Sequence, residues 1–260
     1  MKYFAIIVFS ISTILANAQN GSDHGLEIAN NADLADNGFE SSEVKLKMIL
    51  RNKQGQESTR LLETKTLELV EDGDKSLIVF NSPRDVKGTA TLTFTHKQGS
   101  DDQWLYLPAV NRVKRISSDN KSGPFMGSEF AYEDLSSQEI EKYSYRFVKN
   151  EQYEGHNCAV VAQDPVDPKS GYTKRLVWYN LDEDYRLEKI EFYDRKDVLL
   201  KTLTYSDYQL YLGKHWRAGT FQMVNHQTDK QTTLIFEDYA FKTGLNAEDF
   251  SQNSLKRAGR

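Results

Sequence analysis

The residue types that most often bind metals or act as nucleophiles are sparse in this chain, which has five histidines and one cysteine among 260 residues. No two histidines lie four apart and no Cys-x-x-Cys pair occurs, so the sequence predicts neither a local zinc site nor any other metal or cofactor. Cys158 lies in an apolar run typical of a strand, where a buried small hydrophobic residue is commoner than a reactive thiol. As a single cysteine it cannot form an internal disulfide. The histidines are His24, His96, His156, His215 and His226.

Patterns for calcium binding and hydrolysis are incomplete. Gly38 occupies the glycine position of a calcium loop running from Asp33 to Val44, but Ala35 and Val44 stand where oxygen ligands are required. The chain has no Gly-x-Ser-x-Gly motif and no phosphate-binding glycine loop. We therefore do not expect an enzyme, although a triad built from distant residues is recognised by geometry and not by sequence order.

Aromatic and basic residues are interleaved between Asp102 and Leu135. Such a pattern can bind single-stranded nucleic acid, but the formal charge of −5 argues against a nucleic-acid partner. One interpretation places the cations at the rim of a binding site, against a lipid phosphate or an acidic membrane partner. Another makes them a solvated strand face that pairs with Glu129, Glu133 and Asp134. The rim cations are Arg112, Lys114 and Arg115, with Lys121 close behind.

The N-terminus has the features of a secretory signal: Lys2, an apolar run from Tyr3 to Leu15, and Ala16-Asn17-Ala18. The run is shorter than the roughly 20 residues that a membrane-spanning helix needs. We expect cleavage after Ala18 and export to the periplasm, with an uncleaved anchor as the alternative. No cysteine follows the run, so a diacyl anchor is not expected. Residues 19–260 are predicted to form one domain with a large core.

One helix is predicted near the start of the mature chain. Ser22 or Asp23 can cap its first turn, and Gly38 can end it in a left-handed conformation. Four apolar positions fall on one face of such a helix, which could lie against a sheet. These positions are Ile28, Ala32, Ala35 and Phe39.

Thirteen strand candidates follow at intervals of roughly ten residues, separated by turn residues. Since no helices alternate with them, we predict a mainly β fold: a strongly curved antiparallel sheet or half-open β-barrel, with the N-terminal helix and a short helical or loop lid. The candidates are Val44–Arg51, Glu57–Val70, Ser76–Asn81, Thr89–His96, Gln103–Leu107, Arg112–Ser117, Lys142–Lys149, His156–Gln163, Thr173–Asn180, Arg186–Tyr193, Leu199–Leu210, His215–Asn225 and Thr232–Tyr239.

Two strands are apolar on both faces, Leu77-Ile78-Val79-Phe80 and Trp104-Leu105-Tyr106-Leu107. Each face needs a cover, supplied by another structural layer on one side and by the helix or a ligand on the other. Periodicity leaves open which parity faces inward, and each residue singly is more often ordinary core than ligand lining. The candidate cavity lining is drawn from Leu67, Leu69, Ile78, Phe80, Leu92, Phe94, Leu105 and Leu107, with Phe125 and Met126 in a glycine-flanked loop as a movable cover.

Several of these segments carry a family resemblance. The helix ending in Asp36-Asn37-Gly38-Phe39, the hairpin from Leu46 to Arg60, Gln103-Trp104-Leu105-Tyr106-Leu107-Pro108 and Phe130-Ala131-Tyr132-Glu133-Asp134-Leu135 resemble the bacterial outer-membrane lipoprotein-sorting protein family. The resemblance implies a half-open β-barrel with a helical lid, whose apolar interior holds acyl chains in transit across the periplasm. It also implies an association with inner-membrane lipid-exporting pumps of the resistance-nodulation type.

Three functions stay open on the sequence. The first is a periplasmic carrier for a lipid or lipoprotein, because each exposed methylene costs about 0.8 kcal/mol and a diacyl lipid needs an enclosure in water. The second is a docking module that binds an envelope transporter through residues 112–132 without carrying lipid. The third is an envelope hydrolase, which would require a histidine against a serine or aspartate in a pocket.

Overall fold

The computed structural model describes residues 9–258, with side chains described from Gly21 onward. The first part of the predicted secretory signal, residues 1–8, lies outside this range, and cleavage after Ala18 stays a prediction. Among the described residues, none of the helices combines the length and the apolar character needed to cross a membrane.

The main element is a single antiparallel sheet of 13 strands, as predicted. Each predicted strand is present, with ends that move by a few residues. The strands are β1 (Ser41–Arg51), β2 (Glu57–Leu67), β3 (Lys75–Ser82), β4 (Ala90–Phe94), β5 (Asp102–Leu107), β6 (Arg112–Ile116), β7 (Tyr143–Tyr153), β8 (His156–Pro165), β9 (Tyr172–Asn180), β10 (Leu187–Asp194), β11 (Leu199–Tyr211), β12 (His215–Asn225) and β13 (Lys230–Phe241).

The strand order makes β6 and β7 the two edges of an open sheet. The order is β6-β5-β4-β3-β2-β1-β13-β12-β11-β10-β9-β8-β7, so the first and last strands pair in its middle. Residues 117–142, which we call the crossing segment, connect the two edge strands through short 3-10 turns. The sheet is therefore curved but not closed, which confirms the half-open architecture.

The N-terminal helix, α1 (Phe9–Asp36), begins earlier than predicted. Its backbone is already helical ahead of Ser22, because neither glycine nor proline interrupts the sequence between Phe9 and Asn20. Of the four positions predicted for the apolar face, Ile28 and Phe39 are buried and Ala32 and Ala35 are half-buried. Ala29, which was not predicted, is also buried. Gly38 follows the helix at φ +99°, and its N–H donates to a carboxylate oxygen of Glu68 over 2.6 Å. This bond ties the end of α1 to the end of β2.

The two faces of the sheet are covered differently. The inner face, which we define as the face toward α1, carries the main apolar core, including Met48, Phe80 and Met223. The outer face of β3, β4 and β5 carries a second core beneath a C-terminal helix, α2 (Gln252–Ala258), that was not predicted. Leu255 of α2 is completely buried there. The doubly apolar strand β3 is thus covered on both sides by protein.

The crossing segment is fixed to the sheet by a buried ion pair. Lys201 Nζ on β11 lies 2.6 Å from Asp134 Oδ2, and both side chains are about 5% exposed or less. The same carboxylate accepts hydrogen bonds from the Tyr172 hydroxyl and from the Ala131 N–H. Since every oxygen and the ammonium have partners, the pair can lie in the core without an unsatisfied charge.

Candidate functional site

A cavity of about 860 Å³ lies between α1 and the inner face of the sheet. Its walls come from α1, from the inner faces of β1, β2 and β7 through β13, and from two connecting stretches. These stretches are residues 68–74 after β2, with Lys97 beside them, and the part of the crossing segment between Phe130 and Glu141. Its volume falls within the roughly 300–1,000 Å³ usual for small-molecule sites.

The wall formed by β10 to β13 is apolar. Side chains of alternate residues on these strands point inward, as the two-residue period of a strand requires. They present aliphatic and aromatic groups, among which the Phe221 ring lies 4.5 Å from the Phe236 ring. This wall can shield hydrocarbon from water. Its members include Ile190, Phe192, Leu203, Phe221 and Phe236.

A polar group interrupts the apolar lining on β8 and β9. Arg175 is only 5% exposed and lines the cavity. Its Nε–H donates to Gln163 Oε1 over 2.6 Å, and its guanidinium carbon lies 3.9 Å from the centre of the Tyr143 ring. Gln163 in turn donates to the Tyr179 hydroxyl over 2.6 Å. Burial raises the pKa of Tyr179 to about 12, so this network offers neutral hydroxyls and one cation.

The cavity wall near the end of α1 carries carboxylates. Burial raises the pKa of Glu139 to about 7, with further contributions from the charges of Asp74 and Asp33. Burial likewise raises the pKa of Asp74 to about 6. Asp33 lies on α1 and Glu139 on the crossing segment. Protonation of Glu139 therefore removes a negative charge from between the helix and the crossing segment. Lys97 lines the same part of the cavity.

Cations on the same side of the cavity stack on aromatic rings and are paired. Arg186 lies over the Tyr208 ring at 4.4 Å and bonds to Glu183 and Glu188. Arg217 lies over the Phe39 ring at 5.3 Å and bonds to Asp36 of α1. The contacts of Arg217 join α1 to β12.

The structure places the predicted lining residues in four groups. Leu69 lies in the cavity wall. Ile78, Phe80 and Phe125 belong to the main core, with Met126 packed against it. Phe125 is 1% exposed, and the centre of its ring lies 5.6 Å from that of Phe80. Its side chain therefore packs inside the main core and does not form a surface cover.

Three others lie on the outer face, away from the cavity. Leu92 belongs to the outer core, and Leu67 and Phe94 pack against it. Successive residues of a strand point to opposite faces of the sheet, and these three residues point to the outer face, which α2 covers. Trp104 and Tyr106 also join the outer core, leaving Leu105 and Leu107 half-buried on the opposite side of β5, outside the cavity wall.

The proposed rim cations lie on the edge strand β6 and not at the cavity. Arg112, Lys114 and Arg115 are exposed, and Arg115 pairs with Asp102. The alternative pairing with acidic residues of the crossing segment is wrong, because those residues have other partners. Asp134 binds Lys201, Glu133 accepts from Ser170 and Gly171, and Glu129 accepts from Asn225.

The histidines of the described chain do not form the hydrolase arrangement named above. His96 Nδ1 lies 2.7 Å from Asp72 Oδ2, and its Nε2 lies 3.3 Å from Asp102, outside the cavity wall. Over residues 9–258 no cluster of three or more metal-binding side chains occurs.

Sequence reasoning missed the polar part of the cavity. Arg175, Val177 and Tyr179 are alternate residues of β9 and point to the same face of the sheet, and all three are buried. An arginine in alternation with buried residues of a strand was the sequence pattern that could have indicated a cation in the cavity wall. The opposite parity, which carries Trp178, forms a small outer cluster with Cys158 and Val160. Cys158 is fully buried there, as predicted.

Comparison with known proteins agrees with the fold. A solved structure described as an outer membrane lipoprotein-sorting protein domain from Vibrio parahaemolyticus is 56% identical, with a TM-score of 0.89 over 91% of this chain and 100% of that one. A DUF1329 family protein from Desulfovibrio piger is 26% identical, with a TM-score of 0.85 over 90% and 99%. A LolA superfamily protein from Nitrosomonas europaea, 20% identical with a TM-score of 0.72 over 88% and 98%, shares the fold.

A family model described as "Uncharacterized protein" matches residues 72–257. No curated protein matches the chain. The 56% identity extends over the full length of the Vibrio domain, and the curved open sheet with its helix is common to both. The chain therefore belongs to the outer-membrane lipoprotein-sorting protein family.

Proposed function

We propose that this protein is a carrier that encloses acyl chains of a lipid or lipoprotein between α1 and the inner face of the sheet. The observation that supports it is the cavity of about 860 Å³ with its apolar wall on β10 to β13. At about 0.8 kcal/mol per methylene, shielding even one long chain outweighs the loss of its mobility. The family relationship adds that a close relative is described as a lipoprotein-sorting domain.

The proposal also places the carrier in the periplasm. A carrier of this kind works where lipids must cross water, and the signal features of residues 1–18 direct the chain to the periplasm. Passing acyl chains between envelope components then requires α1 to move, because α1 forms one wall of the cavity.

A variant that fills the cavity tests the proposal. Ala32 of α1 lines the cavity, whereas Leu34 on the same helix is 67% exposed. We expect Ala32→Trp to reduce the lipid recovered by organic extraction and mass spectrometry at least about tenfold, and Leu34→Trp to leave it unchanged. Wild-type protein that is purified lipid-free and binds no added lipid would refute the carrier function.

A second candidate is a non-catalytic docking module of a lipid-exporting transporter. It is favoured by β6, an edge strand whose Arg112 and Lys114 are exposed and unpaired in the described structure. Edge strands and exposed cations are common recognition features. The two candidates separate in the extraction experiment, because a docking module without cargo contains no lipid in either the wild-type protein or the Ala32→Trp variant.

A further inference from the structure

Arg175 is a buried cation of the cavity wall that forms no ion pair within the described chain. Its side chain makes one hydrogen bond among the described residues, from Nε to Gln163. Lys97 and Lys214 of the same wall also lack a carboxylate partner, but both donate to backbone carbonyls and neither is buried. By contrast, Arg186 and Arg217 of the same cavity are both paired with carboxylates. Arg175 is also the more deeply placed, with 5% of its surface exposed.

A buried charge without a counter-ion is costly, because one hydrogen bond and one aromatic ring replace only part of the hydration that it loses. The terminal nitrogens of Arg175 make no hydrogen bond within the described chain, and Arg175 is part of the cavity wall. Tyr205 lines the same cavity, and its hydroxyl likewise has no hydrogen-bond partner among the described residues. The positive charge of Arg175 acts on Tyr205, which opposes the rise in the pKa of this tyrosine that burial causes. Two sets of donors are thus unused beside the apolar wall.

We propose that Arg175 binds an anionic oxygen group of the cargo, a carboxylate or a phosphate attached to the acyl chain. The inference rests on the proposed carrier function and specifies the ligand class that the cavity selects. A planar guanidinium with two free terminal nitrogens suits two parallel bonds to such a group. Gln163 and the Tyr143 ring hold the guanidinium in place for this contact. The chain of the ligand then lies along the apolar wall.

The test uses delipidated protein at pH 8 and two fluorescent probes, cis-parinaric acid and its methyl ester. The two share one acyl chain and differ in the head group, which is an anionic carboxylate in the acid and an uncharged methyl ester in the other. Wild-type protein is expected to bind the acid at least about tenfold more tightly than the ester, which corresponds to about 1.4 kcal/mol. Arg175→Met and Arg175→Gln are expected to remove this preference while leaving ester affinity within about twofold. Arg217→Met, which removes a paired cation from the same cavity, should retain it.

Competition identifies the source of the anion. Displacement of the acid by palmitate points to a carboxylate ligand and displacement by phosphatidylglycerol to a phosphate ligand, and either supports the inference. Equal displacement by palmitate and by the neutral hexadecanol overturns it. Equal binding of acid and ester by wild-type protein also overturns it, yet leaves the carrier function standing. If neither probe binds, the carrier function itself fails together with the inference.

Discussion

The packing of α1 on the sheet depends on a close approach at Gly25. A methyl group added there would lie 2.6 Å from the backbone nitrogen of Phe147 and 2.9 Å from the carbonyl carbon of Arg146. Ordinary contact begins at 3.4 Å, so Gly25→Ala forces the helix and β7 apart by about 0.8 Å. Backbone atoms of a paired strand cannot rotate away as a flexible side chain can. We therefore expect the substitution to loosen the wall that α1 contributes to the cavity.

Two opposing effects set the magnitude. Alanine stabilises a helix interior by about 1 kcal/mol relative to glycine, and overpacking a tight contact costs about 1–3 kcal/mol. Gly21 on the same helix supplies the control, because a methyl group there would meet only Phe147 O at 3.9 Å. In the uncleaved chain both glycines are inside α1, so the helix-propensity gain is shared. Gly25→Ala should then be less stable than Gly21→Ala by about 1–3 kcal/mol.

Thermal unfolding followed by circular dichroism measures this difference. For a chain of this size each kcal/mol shifts the midpoint by about 2–4 °C. Hydrogen exchange of the α1 amides should also be faster in Gly25→Ala than in Gly21→Ala, because the helix packs less closely on β7. Equal stability of the two variants, or greater stability of Gly25→Ala, would show that α1 does not rest on β7 at this distance.

Two further predictions concern the crossing segment. Phe125→Ala should destabilise the protein by about 3–5 kcal/mol in urea unfolding, because Phe125 is 1% exposed in the main core; a loss below about 1 kcal/mol would favour the movable cover. Glu139→Gln should flatten the pH dependence of stability. The folded pKa of Glu139 is raised from 4.5 to about 7, so its contribution is complete below about pH 4.5 and is lost as the pH rises through 7. The variant should therefore exceed the wild type in urea midpoint at pH 8 but not at pH 5, and parallel profiles would contradict this assignment.

Local sequence patterns were sufficient to predict the positions of the strands. The period of two in Thr91 to Phe94 and the turn residues between strands reflect interactions among near neighbours, which a sequence states directly. The open, antiparallel architecture followed because no helices alternate with the strands. The resemblance in Trp104 to Pro108 and Tyr132 to Leu135 supported the same fold, and the family relationship agrees with it.

The candidate site was harder to predict, because which parity faces inward depends on what covers each face. Leu92 and Phe94 were candidate cavity residues, yet α2 covers their side of β4 and turns them into ordinary core. A strand shows the same alternation of apolar and polar residues whether its apolar face lines a cavity or packs against a helix. Periodicity alone therefore cannot distinguish cavity lining from ordinary core. Phe125 lay in a glycine-flanked loop typical of a mobile cover, yet its ring fills the space beside Phe80.

The sequence by itself determined the order of elements, the face of α1 that packs and the strands that need cover on both sides, because these follow from side chains two to four residues apart. Only the tertiary structure decided where the cavity lies and what lines it. Arg175 and Gln163 belong to different strands, and Tyr205 to a third. Their meeting depends on the curvature of a 13-stranded sheet and on where α1 rests, which are sums of many distant contacts.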